Sequence, residues 1–169
     1  MEQKITEKDF ERIYRETYYS TLKYITIKCN NIEDINDILQ DTYVELFNIL
    51  KKKEVYAERC ENYINGIANN IIKRHYSKIS KIRLEDNENN EIADEIDLEQ
   101  ELITKENAED IWKFIKTKDL ITGKIFYLYF IFDMKISDVA KELEINESTV
   151  KNRLYRTMKQ LREEGLGNE

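Results

Sequence analysis

Apolar side chains in the first half of the chain recur at the three- and four-residue spacing that places them on one face of a helix. Three such stripes are present, over residues 10–25, 35–50 and 64–72. The charged interval between the second and third stripes, residues 51–62, lacks this period and is predicted to be a loop. Three stripes with two connections predict a small helical bundle.

The last third of the chain predicts a second helical unit. A helix is expected around Ile111 and Ile115, and residues 121–132 are apolar nearly all round, which is typical of a buried helix. Two shorter helices are predicted to follow, over residues 137–143 and about 147–163. This unit therefore contains four helices in the prediction.

A strongly acidic segment, residues 84–106, separates the two units. It is rich in Asn, poor in aromatic residues, and carries ten Asp and Glu against one Lys, whereas the whole chain has a net charge of −7. Such a composition buries too little apolar surface to fold alone, so residues 81–106 are predicted to be a linker. The prediction is an all-α protein with small helical domains at residues 8–80 and 107–165.

Composition and length narrow the class of protein. Proline is absent and only four glycines occur, which permits long helices and disfavours a turn-rich β fold. No apolar run approaches the roughly 20 residues that span a bilayer, and no signal-peptide pattern is present, so we expect a cytoplasmic protein. Cys29, Cys60 and His75 show no metal-ligand or triad spacing. We therefore expect no metal, no cofactor and no enzymatic activity.

The segment ISDVAKELEINESTVKNRL, residues 136–154, carries the strongest motif. A small residue, Ala140, lies one turn into a first helix, and Val150 lies in the core of a second. This spacing is typical of a helix-turn-helix, whose second helix enters the major groove of DNA. Ser137 is predicted to cap the first helix. Glu144 lies at the turn, where the backbone tends to be left-handed and a side chain costs roughly 1 kcal/mol.

The outward face of that second helix is polar and basic. Arg and Asn read base edges through paired hydrogen bonds, and Lys, Ser and Thr hold phosphates. A helix face that is merely solvated has a similar composition. Here the basic face coincides with the core spacing of the motif, and this coincidence favours DNA contact. The candidate duplex-binding residues are Ser148, Thr149, Lys151, Asn152, Arg153 and Arg156.

Three motifs in this order resemble the extracytoplasmic-function (ECF, group IV) class of the sigma-70 family of bacterial RNA polymerase. DILQDTYVELF at residues 37–47 is similar to region 2.2, YINGIANNIIKRHYSK at 63–78 to regions 2.3–2.4, and STVKNRLYR at 148–156 to region 4.2. The resemblance covers about residues 8–78 and 107–163. It implies an alternative sigma factor that binds core RNA polymerase and directs initiation at −10 and −35 promoter elements.

The resemblance also implies which partners are bound. The second helix is expected to dock on the β′ coiled coil of the polymerase, with the β flap as a further polymerase contact. Promoter DNA and an anti-sigma protein are the remaining expected partners, and direct membrane insertion is not expected. The apolar stripe leaves an acidic face outward on this helix, although such a face is also compatible with simple solvation. The candidate polymerase contacts are Asp37, Gln40 and Asp41.

The third helix and the preceding loop are the expected −10 surface. Amides beside cations suit a melted strand, whose bases are hydrogen-bonded and whose phosphates are neutralised, and an aromatic ring stacked on a base contributes roughly 1–3 kcal/mol. Tyr56 is the candidate for such stacking. The full set of candidate −10 residues is Tyr56, Arg59, Asn65, Asn69, Asn70, Lys73 and Arg74.

Two other functions are compatible with these patterns. A stand-alone helix-turn-helix regulator would use the N-terminal bundle for dimerisation or sensing and would bind symmetric operators without polymerase. An inactive sigma-like protein would bind polymerase without starting transcription. A sigma factor, in contrast, reads an asymmetric promoter at two separated elements.

Overall fold

The computed structural model describes residues 1–77 and 108–166. The chain divides into two compact units, Met1–Ile82 and Arg83–Glu169, and each unit is considered by itself. Within the described residues the architecture is helical apart from one pair of short strands, which confirms the all-α prediction. The predicted acidic linker, residues 81–106, lies outside the described residues, and the domain boundaries placed beside it stay predictions.

The first unit is a three-helix bundle with a short antiparallel strand pair. Single turns of 3₁₀ helix, Glu7–Asp9 and Ile32–Asp34, precede the first and second helices. In chain order the main elements are β1 (Gln3–Ile5), α1 (Phe10–Lys28), α2 (Ile35–Lys52), β2 (Val55–Ala57) and α3 (Cys60–Tyr76).

The three predicted apolar stripes form the core of this bundle, because each helix turns its stripe towards the other two. The largest side chains with almost no exposure are Ile5, Ile13, Ile25, Ile35, Ile38, Leu46 and Ile64. A polar contact is buried among them: the Tyr43 hydroxyl lies 2.8 Å from Thr17 Oγ1 and donates a hydrogen bond of 3.2 Å to Thr21 Oγ1. Burial raises the pKa of Tyr43, and its hydrogen bonds with the two threonines oppose this shift. The hydroxyl is thus satisfied without water.

The predicted loop over residues 51–62 is wrong at both ends and in the middle. Helix α2 continues to Lys52, and α3 already begins at Cys60. Between them, Val55–Ala57 pairs antiparallel with Gln3–Ile5. A three-residue strand that pairs with a distant segment leaves no periodic pattern in its own sequence. The absence of a helical period in this interval was therefore interpreted as a loop.

The described residues of the second unit, 108–166, form four helices. They are α4 (Ala108–Lys116), α5 (Leu120–Phe126), α6 (Ile136–Leu143) and α7 (Glu147–Glu163), and a π-helical turn, Tyr127–Ile131, continues α5.

The helix predicted to be buried, over residues 121–132, is the centre of this unit. Every residue from Ile121 to Phe126 is buried, as are Leu128 and Tyr129. Around it pack the apolar faces of α4, α6 and α7, which contribute side chains of less than 2% exposure. The prediction of a buried central helix is confirmed up to Tyr129, but it is wrong for the last residues, because the π-helical turn ends the helix and Ile131 is 36% exposed. None of the helices in the described residues combines the length and the apolarity that crossing a membrane requires.

Candidate nucleic-acid interface

Helices α6 and α7 form a helix-turn-helix whose core is the predicted one. Ala140 is 4% exposed, and Val150 and Leu154 are at most 1% exposed. The backbone N–H of Ile145 donates to the carbonyl of Ala140 over 3.0 Å, which closes the end of α6. The small side chain at Ala140 leaves room for α7 to cross α6 closely, as the spacing predicted.

The ends of the two helices agree with the prediction except at one residue. Glu144 has φ 56° and ψ 42°, so the predicted left-handed turn is confirmed, and α7 begins at Glu147 after Asn146. The prediction that Ser137 caps α6 is wrong. Helix α6 begins one residue before it, because the carbonyl of Lys135 accepts hydrogen bonds from the N–H groups of Asp138 and Val139, both over 3.0 Å. These bonds complete the first turn without a side-chain cap.

Five of the six candidate duplex-binding residues lie on the outer side of α7. Ser148, Lys151 and Arg156 are exposed, and Thr149 and Asn152 are half-buried. Residues three and four apart are neighbours on a helix surface, so these side chains form one continuous polar face. The face presents hydroxyl, amide and cationic groups of the types that contact phosphates and base edges.

Arg153, the sixth candidate, is bound within the unit. Its Nη1 donates to Asp119 Oδ1 over 2.8 Å and to Thr122 Oγ1 over 2.9 Å, and its side chain is only 19% exposed. The prediction placed Arg153 on the exposed face, and the partner that draws it inward lies 34 residues earlier. At least one edge of its guanidinium is therefore engaged within the protein.

Asp119 is a residue that the sequence interpretation missed. It precedes α5, where its Oδ1 accepts a 3.0 Å hydrogen bond from the N–H of Thr122 and its Oδ2 accepts one of 2.9 Å from the hydroxyl of that residue. Burial would raise the pKa of Asp119, but the hydrogen bonds from Thr122 and the charge of Arg153 outweigh burial and hold this pKa below its ordinary value. An N-cap pattern before the apolar run at 121–132 was the available sequence signal.

The candidate −10 residues on α3 do not all share one face. Asn70 and Lys73 are exposed, and Asn69 is half-buried beside them. The Oδ1 atom of Asn65, in contrast, is buried and makes no hydrogen bond within the described residues. Arg74 is exposed but donates to Glu45 of α2 over 2.6 Å. The open polar face of α3 is therefore narrower than the sequence predicted.

The end of α3 is fixed against the turn that precedes α2. The Tyr76 hydroxyl donates to Asp34 Oδ2 over 2.9 Å and accepts from the N–H of Asn31 over 3.2 Å. Burial and the bond to Asp34 raise the pKa of this phenol, so it stays protonated at neutral pH. His75 Nε2 lies 3.4 Å from the same carboxylate oxygen. These contacts orient the polar face of α3 relative to α2.

Tyr56 and Arg59 project from the short segment between α2 and α3. Tyr56 lies on β2 and is 58% exposed, and Arg59 is exposed immediately before α3. Because β2 is paired with β1, the Tyr56 ring stands on a hydrogen-bonded ribbon and not on an irregular loop. Tyr56 is the aromatic residue among the candidate −10 residues, and its exposed ring is accessible for stacking.

The candidate polymerase-binding residues Asp37, Gln40 and Asp41 are all exposed on one side of α2. One turn further along the same side lies Val44, whose side chain is 58% exposed. Asp41 and Val44 border a groove of about 610 Å³ between α2 and α3, to which Arg74 also contributes. The face of α2 thus combines carboxylates with an exposed apolar group, and its charge complements that of a basic partner.

Comparison with known protein families supports the C-terminal part of this description. Residues 122–161 match the family model "Sigma-70, region 4". The match begins in α5 and extends over nearly all of α7, so it includes the whole helix-turn-helix and its polar face. A search among curated proteins found no match. The C-terminal unit is therefore similar to region 4 of the sigma-70 family, and this similarity supports DNA binding in transcription initiation.

Proposed function

We propose that the chain is an alternative sigma factor of the ECF class, which binds core RNA polymerase and directs it to promoters. The observation that carries the proposal is the C-terminal helix-turn-helix, whose polar α7 face and surrounding sequence match region 4 of the sigma-70 family. The N-terminal motifs quoted above, in the order typical of region 2, extend the proposal to the first unit. In this proposal the protein performs no catalysis of its own and needs no cofactor.

Each unit has a separate task in the proposed mechanism. The exposed acidic side of α2, with Asp37, Gln40 and Asp41, docks on the β′ coiled coil. The polar face of α7 binds the −35 duplex, while Tyr56 and the open face of α3 hold the melted −10 strand. Two weak contacts on one tether gain affinity through effective concentration. The net charge of −7 disfavours non-specific binding of the free protein to duplex DNA, so selection of a promoter follows binding to polymerase.

The remaining partners follow from the same resemblance. The β flap of the polymerase is the proposed second contact, and an anti-sigma protein is the proposed regulator. A sigma factor acts where the polymerase acts, so we propose a cytoplasmic location. These assignments rest on the similarity to the sigma-70 family.

Run-off transcription on a genomic library with purified core polymerase, with and without this protein, tests the proposal. We expect new start sites that share two elements at a constant separation upstream. Absence of any new start site, together with duplex binding in the absence of polymerase, would replace the sigma factor with a stand-alone regulator. Binding to polymerase without new start sites would instead indicate an inactive sigma-like protein.

A further inference from the structure

The N-terminal strand β1 is paired with the strand that carries Tyr56. The antiparallel register joins Gln3 with Ala57, Lys4 with Tyr56, and Ile5 with Val55. Ile5 and Val55 are 1% and 6% exposed, so this pair faces the core. Residues directly opposite one another point to the same side of a strand pair, with Cβ atoms about 4.5–5.5 Å apart. Lys4 and Tyr56 therefore stand side by side on the outer surface.

Strand β1 is held in place at both ends. After it, the N–H of Thr6 donates to Asp9 Oδ2 and the N–H of Asp9 donates to the Thr6 carbonyl, both over 3.0 Å, so the strand is connected rigidly to the start of α1. At its first residue, Gln3 Oε1 lies 3.8 Å from Cys60 Sγ at the start of α3. The buried Ile5 side chain supplies the apolar anchor between these points. The backbone position of Lys4 is thus set by the fold.

In the free protein, Lys4 forms an ion pair with a carboxylate. Lys4 Nζ lies 2.8 Å from Glu54 Oε1, and both side chains are about half exposed, at 53% and 51%. The hydroxyl of Tyr56 donates to the other carboxylate oxygen of Glu54 over 3.4 Å. Glu54 therefore holds the cation and the aromatic ring together, and it also occupies the position that an incoming anion would take beside Lys4.

An ammonium group beside an exposed aromatic ring has the chemistry of a single-stranded nucleotide contact. A base stacks on the ring, and the adjoining phosphate is neutralised by the cation. Residues 51–59 add four Lys and Arg against two Glu, so the surroundings favour a polyanion. A duplex hides the faces of its bases in the stack, so an exposed ring on a surface ribbon suits a melted strand.

We propose that the β1–β2 ribbon is a single-stranded DNA contact in which Lys4 binds a phosphate next to a base stacked on Tyr56, and in which Glu54 lowers affinity by competing for Lys4. This inference rests on the proposed function, because it adds the N-terminal strand to the surface that holds the −10 strand. Lys4 and Glu54 are the residues newly assigned here.

Two substitutions that break the same ion pair test the proposal, because it predicts opposite effects on binding. The full chain is titrated against a fluorescein-labelled A/T-rich single strand of about 12 nucleotides, and anisotropy is followed at several salt concentrations. Lys4→Met should weaken binding about two- to fivefold, and Glu54→Gln should tighten it by a similar factor. Lys4→Met should also reduce the slope of log affinity against log salt by about 0.7, the value for one phosphate contact on a single strand.

The controls separate binding from stability. Lys28→Met removes the same charge at the far end of α1, roughly 27 Å along the helix axis from its start, and should not change the affinity beyond the general charge effect. The double variant Lys4→Met/Glu54→Gln should bind more weakly than Glu54→Gln, because the lysine that the substitution at Glu54 would set free is absent. Thermal unfolding of all variants, followed by circular dichroism, should show equal small losses for Lys4→Met and Glu54→Gln.

The possible results have distinct meanings. If both single variants shift affinity in the same direction, if neither shifts it, or if the unsubstituted chain does not bind the strand, β1 is only a structural strap and the inference is overturned. If affinities move in opposite directions while run-off transcription yields no start sites, the ribbon contact stands and the sigma-factor proposal fails. If run-off transcription yields new start sites while the affinities of the variants stay unchanged, the sigma-factor proposal stands and the ribbon contact fails.

Discussion

The guanidinium of Arg153 on α7 and the carboxylate of Asp119 before α5 are joined by a hydrogen bond of 2.8 Å. The same carboxylate caps α5 through Thr122, whose hydroxyl also accepts a hydrogen bond from Arg153. The proposed DNA-reading helix is thereby connected to the central helix of its unit by a side-chain contact as well as by apolar packing. An arginine held along one edge is restricted in the directions from which it can approach a base.

Replacement of Arg153 should therefore affect both stability and recognition. We expect Arg153→Ala to lower the free energy of unfolding by about 1–2 kcal/mol, because it removes charge-assisted hydrogen bonds to Asp119. It should also weaken −35 binding by roughly 1–3 kcal/mol if the arginine reads a base edge. Urea unfolding and binding of holoenzyme to promoter duplexes measure the two effects. Lys151→Ala is the control that should leave stability unchanged, and equal losses on every DNA sequence would reduce Arg153 to a phosphate contact.

The lowered pKa of Asp119 predicts an acid-sensitive second unit. A carboxyl group whose pKa is lower in the folded than in the unfolded chain stabilises the fold above its unfolded pKa, near 3.9, and this stability is lost as the pH falls through the folded pKa. Asp119→Asn removes the charge and should flatten that part of the profile of unfolding free energy against pH. Denaturant unfolding between neutral pH and about pH 3 measures it. An unchanged profile would contradict the assigned ion pair.

The turn of the helix-turn-helix carries a side chain in the left-handed region, at Glu144 with φ 56°. Glycine adopts this conformation without a Cβ penalty, so Glu144→Gly should raise the free energy of unfolding by about 0.5–1 kcal/mol. Glu142→Gly, in the helical part of α6, is the matched control and should lower it by about 1 kcal/mol. The urea midpoints of the two variants should move in opposite directions. A loss of stability in Glu144→Gly would show that the side chain compensates for its backbone.

Gly66 is exposed in the middle of α3, and a Cβ placed there would meet nothing within 4 Å. Among the described residues, therefore, no close contact with a neighbouring element explains a glycine at this position of the helix. Gly66→Ala should stabilise the first unit by about 0.5–1 kcal/mol, since alanine loses less backbone entropy in a helix. Gly165→Ala is the control, because φ 71° at that residue should make the same substitution unfavourable. Thermal unfolding of the two variants measures both effects.

The acidic side of α2 should be needed for polymerase binding and not for folding. Asp41 is exposed, so Asp41→Lys should weaken binding to core polymerase at least tenfold while thermal unfolding stays unchanged. Glu7→Lys, an exposed carboxylate on the 3₁₀ turn before α1 and not on the acidic side of α2, is the control for the same change of charge. Fluorescence titration with core polymerase at two salt concentrations measures both. Equal binding of the two variants would remove the docking role from this face.

Local pattern was sufficient for the helices, because amphipathic period and helix formation involve residues only a few positions apart. The stripes of the first unit, the buried helix that begins at Leu120 and the left-handed turn at Glu144 all follow from such short-range information. The same holds for the motif that matches region 4 of the sigma-70 family, since it lies within two consecutive helices.

Contacts between distant segments decided the details of the candidate surfaces. The strand pair that positions Tyr56 joins the N-terminus to the interval after α2, and the partners of Arg153 and Arg74 lie 34 and 29 residues away. No periodicity records such pairings, because they depend on how completed helices pack. The chain's own sequence thus determined which helices form and which chemical groups they carry. Only the tertiary structure decided which of those groups are open to a partner and which are bound within the protein.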